Sequence, residues 1–257
     1  MTEQNDKAQA FRSLHIPGNP VTLWNIWDAG SALAVERAGA QAIGTGSFSV
    51  ASAQGYADGQ VLPLDAVLTT SRQICDTVSL PVTVDFEAGY ADGGSTLSEN
   101  VRRLIATGVV GINFEDQQIN QAALYSVAEQ AGRIATVRKA ADAEGVALFI
   151  NARTDIWLDA GRASLDSDSM SDEALTRVKA YAEAGADGFF VPGLADETML
   201  ETICRESTLP VNVMRLPNMV DRNRLAETGV ARISHGPGPW QHMMQIVESE
   251  ARAALCT

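Results

Sequence analysis

The stretch PVTVDFEAGY, residues 81–90, runs through the apolar, β-branched residues of a strand and ends in two acids and a glycine turn. It is followed by SENVRRLIATG at 98–108, which has a helical pattern, and by a second apolar run, GINFED at 111–116. The same succession recurs along the chain. The other runs are VTLWNIW at 21–27, QAIGTG at 41–46, ALFINAR at 147–153, GFFVPG at 188–193, PVNVM at 210–214 and ARISHG at 231–236. Helix-like segments such as SALAVERAG, EALTRVKAYAEAGAD and DRNRLAETG lie between them. Gly39, Gly108, Gly185 and Gly229 follow the last helical turns, where glycine is the expected stop.

Eight such strand–helix units predict a parallel sheet, and eight is the number that closes a (β/α)8 TIM barrel. A doubly wound open sheet is the alternative. No linker, charge block or low-complexity stretch divides the 257 residues. One α/β barrel domain is therefore expected over 1–257, with an N-terminal extension at 1–18 and a C-terminal helix at 238–257. That helix carries an apolar stripe, Met243, Met244, Ile246 and Val247, which either caps the barrel or reaches a neighbouring subunit.

Composition limits the function. The chain is 46% hydrophobic and 20% charged, enough for a large core. It has 32 acidic and 19 basic residues, for a net charge of −13, which disfavours nucleic acid and anionic membranes as partners. The N-terminus, MTEQNDKAQAF, has no apolar signal core, and no run of about 18 apolar residues occurs. Cys75, Cys204 and Cys256 are far apart and form no C-x-x-C pair, as expected of reduced thiols in a cytoplasmic protein.

Residues two apart in a strand share a face, so Asp85 and Glu87 are expected to point the same way. Adjacent buried carboxylates repel unless something neutralises them, and a bound cation is one answer. In a parallel barrel the active site lies at the C-terminal strand ends. Those ends supply Asp28; Thr45, Gly46 and Ser47; Asp85 and Glu87; Glu115 and Asp116; Arg153, Thr154 and Asp155; and His235. Asp28, before Ala29-Gly30-Ser31, reads as a helix cap. Asp116 and Asp155 fit a cap and a functional role equally. Asn212, inside the seventh run, joins the substrate-binding set.

No His-x-x-x-His or cysteine pair offers a zinc site. Carboxylates and waters suit a hard ion, Mg²⁺ or Mn²⁺. Lys7, Lys139 and Lys179 all lie away from strand ends, which argues against Schiff-base chemistry. GTGSFS lacks the third glycine of a dinucleotide fingerprint, and no G-x-S-x-G elbow occurs. What remains is a metal acting as Lewis acid on an oxyanion.

WDAGSA at 27–32, GTGS at 44–47, YAD at 56–58, VDFEAGY at 84–90, FED at 114–116 and NARTD at 151–155, in this order and spacing, resemble the isocitrate lyase/phosphoenolpyruvate mutase superfamily over nearly the full length. The resemblance implies a TIM barrel, commonly a homotetramer that exchanges its final helices, acting with Mg²⁺ on 2-oxo acids or their enolates. Carried over by position, Asp85 is the direct metal ligand, and Asp58, Glu87 and Glu115 hold the metal through water. Thr45, Gly46 and Ser47 match the loop that takes the substrate carboxylate, and Arg153 matches the arginine that neutralises the substrate. Asp58, Glu115 and Arg153 form the catalytic set.

The departures bear on the reaction. The lyases carry a K-[KR]-C-G-H loop after the fourth strand, whereas this chain reads DQQINQAALYSVAEQAGRI there, without cysteine or histidine. The lysine of the mutase and phosphonopyruvate hydrolase loop is absent too, and Val191-Pro192-Gly193 stands where the mutase has a histidine. Glu87 stands where most members have Asp. By resemblance, 117–133 is a gating loop; its Gln117, Asn120, Gln121 and Tyr125 are candidates to touch substrate, and a polar, solvated loop is the favoured alternative. Tyr56 and His235 are further proton-transfer candidates. The expected function is an Mg²⁺-dependent lyase working through an enolate, by C–C cleavage or decarboxylation. A P–C bond enzyme or a non-catalytic 2-oxo acid binding protein is the alternative.

Overall fold

A computed structural model describes residues 3–91, 93–119, 121, 123–158 and 167–255. The eight runs all form parallel strands: β1 (Val21–Leu23), β2 (Ile43–Gly44), β3 (Val82–Asp85), β4 (Gly111–Glu115), β5 (Phe149–Arg153), β6 (Gly188–Phe190), β7 (Val211–Met214) and β8 (Arg232–Ser234). The helices are α1 (Glu3–Ser13), α2 (Ala29–Arg37), α3 (Ser47–Ala53), α4 (Leu64–Thr77), α5 (Gly94–Ile105), α6 (Val127–Ala143), α7 (Ser167–Glu183), α8 (Glu197–Glu206), α9 (Arg222–Glu227) and α10 (Gly238–Leu255).

Sequential strands from β2 to β8 pair in order, and β8 pairs with β1. A single bridge between Ile26 and Thr45, with Ile26 N–H donating to Gly44 O at 2.9 Å, brings β1 to β2 and closes the ring. This is a (β/α)8 barrel, and the doubly wound alternative is excluded because each strand's partner is its neighbour in sequence. Gly39 and Gly108 follow α2 and α5 at φ +93° and +101°, a backbone conformation that a side chain disfavours.

The apolar core lies between strands and helices. Val84, Ile112, Ile150 and Val213 point outward from the barrel onto α5, α6 and their neighbours, all nearly inaccessible to water. The inside of the barrel is polar instead. Thr83, Asn113, Asn151, Asn212, Arg232 and Ser234 are all buried. At the N-terminal end, α1 inserts Phe11, which packs edge-on against Phe149 and His15. Among the described residues, no helix is long and apolar enough to cross a membrane.

Candidate active site

The barrel's C-terminal mouth holds a cavity of about 190 Å³. Ser47, Asp58, Asp85, Asn113, Arg153 and Ser234 give it polar groups, and Phe48, Phe190, Pro192 and Met214 give it an apolar wall. Thr45, Ser47, Asp85, Glu87, Gln60 and Tyr90 line an adjoining cavity of about 10 Å³, about the size of one water.

Asp85 ends β3 between the two. Its backbone N–H donates to Thr45 Oγ1 at 3.0 Å, and its Oδ2 accepts the Ser47 N–H at 3.2 Å. Its other oxygen, Oδ1, is buried with no hydrogen-bond partner. A buried carboxylate oxygen is rarely left unpaired. Thr45 and Ser47, expected to grip a substrate carboxylate, are thus partly engaged with Asp85. Gly46 and Ser47 nevertheless line the larger cavity.

Glu87 departs from the expected geometry. β3 ends at Asp85, and Glu87 has φ +51°, in a turn where Gly89 and Tyr90 are also left-handed. The shared strand face of Asp85 and Glu87 is therefore a correction: the pleat stops one residue too early, and Phe86 is drawn wholly into the core. The turn still brings Glu87 to the small cavity, where its Oε1 accepts Gln60 N–H at 2.7 Å and its Oε2 accepts the Tyr90 hydroxyl at 2.5 Å. Burial lifts the Glu87 carboxyl to about 7, and Asp85 and Asp58 push the same way against these two donors. Asp58, on the exposed rim, is raised by partial desolvation and then by Asp85, opposed by Ser47.

Arg153, at the end of β5, collects acids. It forms a two-toothed bond to Asp155, Nε to Oδ1 at 2.6 Å and Nη2 to Oδ2 at 2.8 Å. Its Nη1 lies 2.9 Å from Glu115 Oε2 and 3.8 Å from Asp85 Oδ2. Burial raises Glu115 well above its usual range, with Arg153 opposing. Asp116 faces elsewhere: it accepts Arg177 Nη1 at 3.0 Å, the Tyr181 hydroxyl at 2.9 Å and Asp155 N–H at 3.0 Å, locking α7 to the β4 and β5 ends. Its role is structural.

Among the described residues, no three acids, histidines or cysteines surround one point at metal-ligand distance. Arg153 fills the space between Glu115 and Asp85, and Glu87 is turned to Tyr90 and Gln60. The donors fit a metal in one way: Asp85 Oδ1 as the direct ligand, with the other acids reached through water, as Mg²⁺ tolerates.

Asp28 is the N-cap of α2, accepting Ser31 N–H at 2.7 Å, as read from sequence. Asn212 lies inside the barrel below the cavity, its Oδ1 accepting from Ser234 at 3.3 Å and its Nδ2 unpartnered. Tyr56 is exposed, and the His235 ring packs on Trp24 at 4.7 Å; neither lines the two cavities. The expected gating segment is shorter than 117–133, because residues 127–133 belong to α6. A Gln117–Leu124 bridge closes the remaining loop, and Gln121 and Tyr125 line a separate cleft of about 410 Å³. Asn120 and Cys256 lie outside the described residues.

Sequence reading missed Asn25, Asn113 and Ser234. Asn25 ties three strand ends, donating to Thr45 O at 2.8 Å and accepting from His235 and Gly236 N–H at 2.8 and 2.9 Å. Asn113 was recoverable, since it stands two before Glu115 and shares its face.

A barrel with acids and one arginine at its mouth defines a class, and comparison with known proteins names the family. The model of phosphoenolpyruvate phosphomutase matches residues 11–255, and the chain belongs to that family. It is 32% identical to the 2-methylisocitrate lyase of Escherichia coli K12, over 79% of this chain and 68% of that protein. It is 30% identical to an oxaloacetate decarboxylase of Pseudomonas entomophila, over 90% and 79%. A putative phosphonomutase from Burkholderia cenocepacia, solved by crystallography, is 43% identical and superposes with a TM-score of 0.94, covering 98% of this chain and 99% of that one. The relatives of this chain thus include carbon–carbon lyases and mutases.

Proposed function

We propose that this chain is an Mg²⁺-dependent lyase that breaks the bond next to the carbonyl of a 2-oxo acid, or of a related 2-hydroxy dicarboxylate, through an enolate. The observation that carries this reading is Asp85 Oδ1, buried and unpartnered, on a residue that lines the cavity together with Arg153. Mg²⁺, or Mn²⁺ in its place, would stabilise the negative charge that develops on the substrate oxygen. Asp85 would ligate the metal directly, with Asp58, Glu87 and Glu115 behind water. Arg153 gives the site a fixed positive charge, and Gly46 and Ser47 orient the substrate, whereas Thr45 holds Asp85 and Asn212, below the cavity, acts through Ser234. Phe190, Pro192 and Met214 keep that end of the cavity dry.

Decarboxylation is favoured over C–C cleavage. None of the residues lining the larger cavity is Cys, His, Lys or Tyr, which leaves Asp58, with its raised pKa, as the titratable candidate to protonate the enolate. Carbon dioxide leaves without needing a proton donor.

The apolar stripe of α10 is exposed at Met243, Met244, Ile246 and Val247, which supports a homo-oligomer, a tetramer by resemblance, joined through this helix. The free thiols Cys75 and Cys204 support a cytoplasmic location. The test is an NMR time course with oxaloacetate, methylisocitrate, isocitrate, phosphonopyruvate and 4-hydroxy-2-oxo acids, each with Mg²⁺ and with EDTA. Metal-dependent loss of oxaloacetate above its spontaneous rate is expected. No turnover of any of these acids would refute the lyase reading.

A further inference from the structure

The inside of a barrel of this type is usually filled by branched apolar residues. Here it holds Arg232, on β8, with 1% of its surface exposed. Among the described residues, no carboxylate lies within ion-pair distance of it. Its Nη2 donates to Asn113 Oδ1 at 3.1 Å, its Nε donates to Ser234 Oγ at 3.2 Å, and its Nη1 has no partner. Asn113 and Ser234 form part of the floor of the 190 Å³ cavity. The guanidinium therefore lies one layer beneath that floor.

Arginine has only donors, so an amide bonded to it must present its oxygen. Asn113 Oδ1 also accepts Asn151 Nδ2 at 2.9 Å. Both donors lie inside the barrel. With its oxygen held there, Asn113 has only N–H groups to offer the cavity. Ser234 is fixed in the same way: its oxygen accepts from Arg232, and its proton goes to Asn212 Oδ1 at 3.3 Å.

We propose that Arg232 is a positioning residue that locks Asn113 as an N–H donor to an anionic substrate and places a positive charge without an ion-pair partner under the site. The inference rests on the 2-oxo acid reading above and deepens it by assigning Asn113 to substrate binding. Burial lowers Arg232 to about 9, against the attraction of Asp85, which leaves it charged at neutral pH. Arg153 is already shared by Asp155 and Glu115, so Arg232 adds a second positive charge beneath the site to the one Arg153 brings to its wall.

The test is calorimetric binding of oxalate, a planar dianion shaped like an enolised 2-oxo acid, with Mg²⁺ and with EDTA. Wild type is compared with Arg232→Met, Arg232→Lys and Asn113→Leu, each checked for its melting temperature. Arg232→Met should weaken oxalate about tenfold or more, by losing an oriented donor to a charged group. Arg232→Lys, still a donor to Asn113 Oδ1, should recover most of that loss. Where Arg232→Met does not fold, Asn113→Leu carries the test and should weaken oxalate similarly. Folded Arg232→Met that binds as wild type does, Arg232→Lys that recovers nothing, or Asn113→Leu without effect would overturn this inference alone. Wild type that binds no oxalate would overturn the 2-oxo acid reading and this inference with it.

Discussion

Glu115 and Arg153 face each other in register on neighbouring strands, with Oε2 and Nη1 2.9 Å apart, Glu115 buried and Arg153 partly exposed to the cavity. An arginine expected to meet the substrate is thus already held by the protein, by Glu115 on one side and Asp155 on the other. Removing it would strand two buried carboxylates. Arg153→Met should destabilise the protein by about 3–5 kcal/mol and abolish oxalate binding. Arg153→Lys keeps the charge but loses the two-toothed bond to Asp155, so it should recover part of the stability and little of the binding. Urea unfolding and calorimetry check both.

The barrel was legible in the sequence because each apolar run is short, each helical pattern between runs is long, and the runs number eight. The site was legible in part. Asp85, Glu115 and Arg153 stand at strand ends, and parity along the strand assigns them inward. Glu87 did not follow that parity, because the left-handed turn through Glu87 and Tyr90 replaces the last step of β3. Non-glycine residues seldom adopt that conformation, and nothing in the residue types signals it. The engagement of Thr45 and Ser47 by Asp85 was also hidden, since it depends on how closely the β2 and β3 ends approach. Arg232 reads in sequence as one of several polar residues in the run ARISHG, and only barrel closure shows it to be enclosed.

His15 predicts an acid limit to stability. It is buried at the barrel's N-terminal end, its ring stacked on Phe149 at 4.1 Å. Its Nδ1 bonds Phe11 O at 2.9 Å, and its Nε2 has no partner. Burial, together with nearby Arg232, lowers its pKa from 6.5 to about 3. Between those values the unfolded chain binds more protons than the folded one. The stabilising effect is therefore fully present above pH 6.5 and is lost as pH falls towards 3. The loss amounts to up to about 5 kcal/mol. His15→Phe, which keeps an aromatic ring against Phe149, should flatten the fall in urea stability over that range. An unchanged slope would contradict the assignment.

The α10 stripe predicts association. In a single copy, Ile246 and Val247 are exposed, so replacing both by Glu should change the stability of an isolated subunit by less than about 1 kcal/mol. In an oligomer joined through this helix, the double variant should sediment as a smaller species than wild type. Identical sedimentation of the two would place the contact elsewhere.

The most direct measurement counts Mn²⁺ bound to wild type and to Asp85→Asn by electron paramagnetic resonance, with no substrate present. The amide keeps the shape of the side chain but removes the charge from the oxygen that has no partner. One ion per wild-type chain, and at least a tenfold weaker site in a folded Asp85→Asn, is the predicted result. Equal Mn²⁺ binding by the two proteins would contradict a metal held by Asp85.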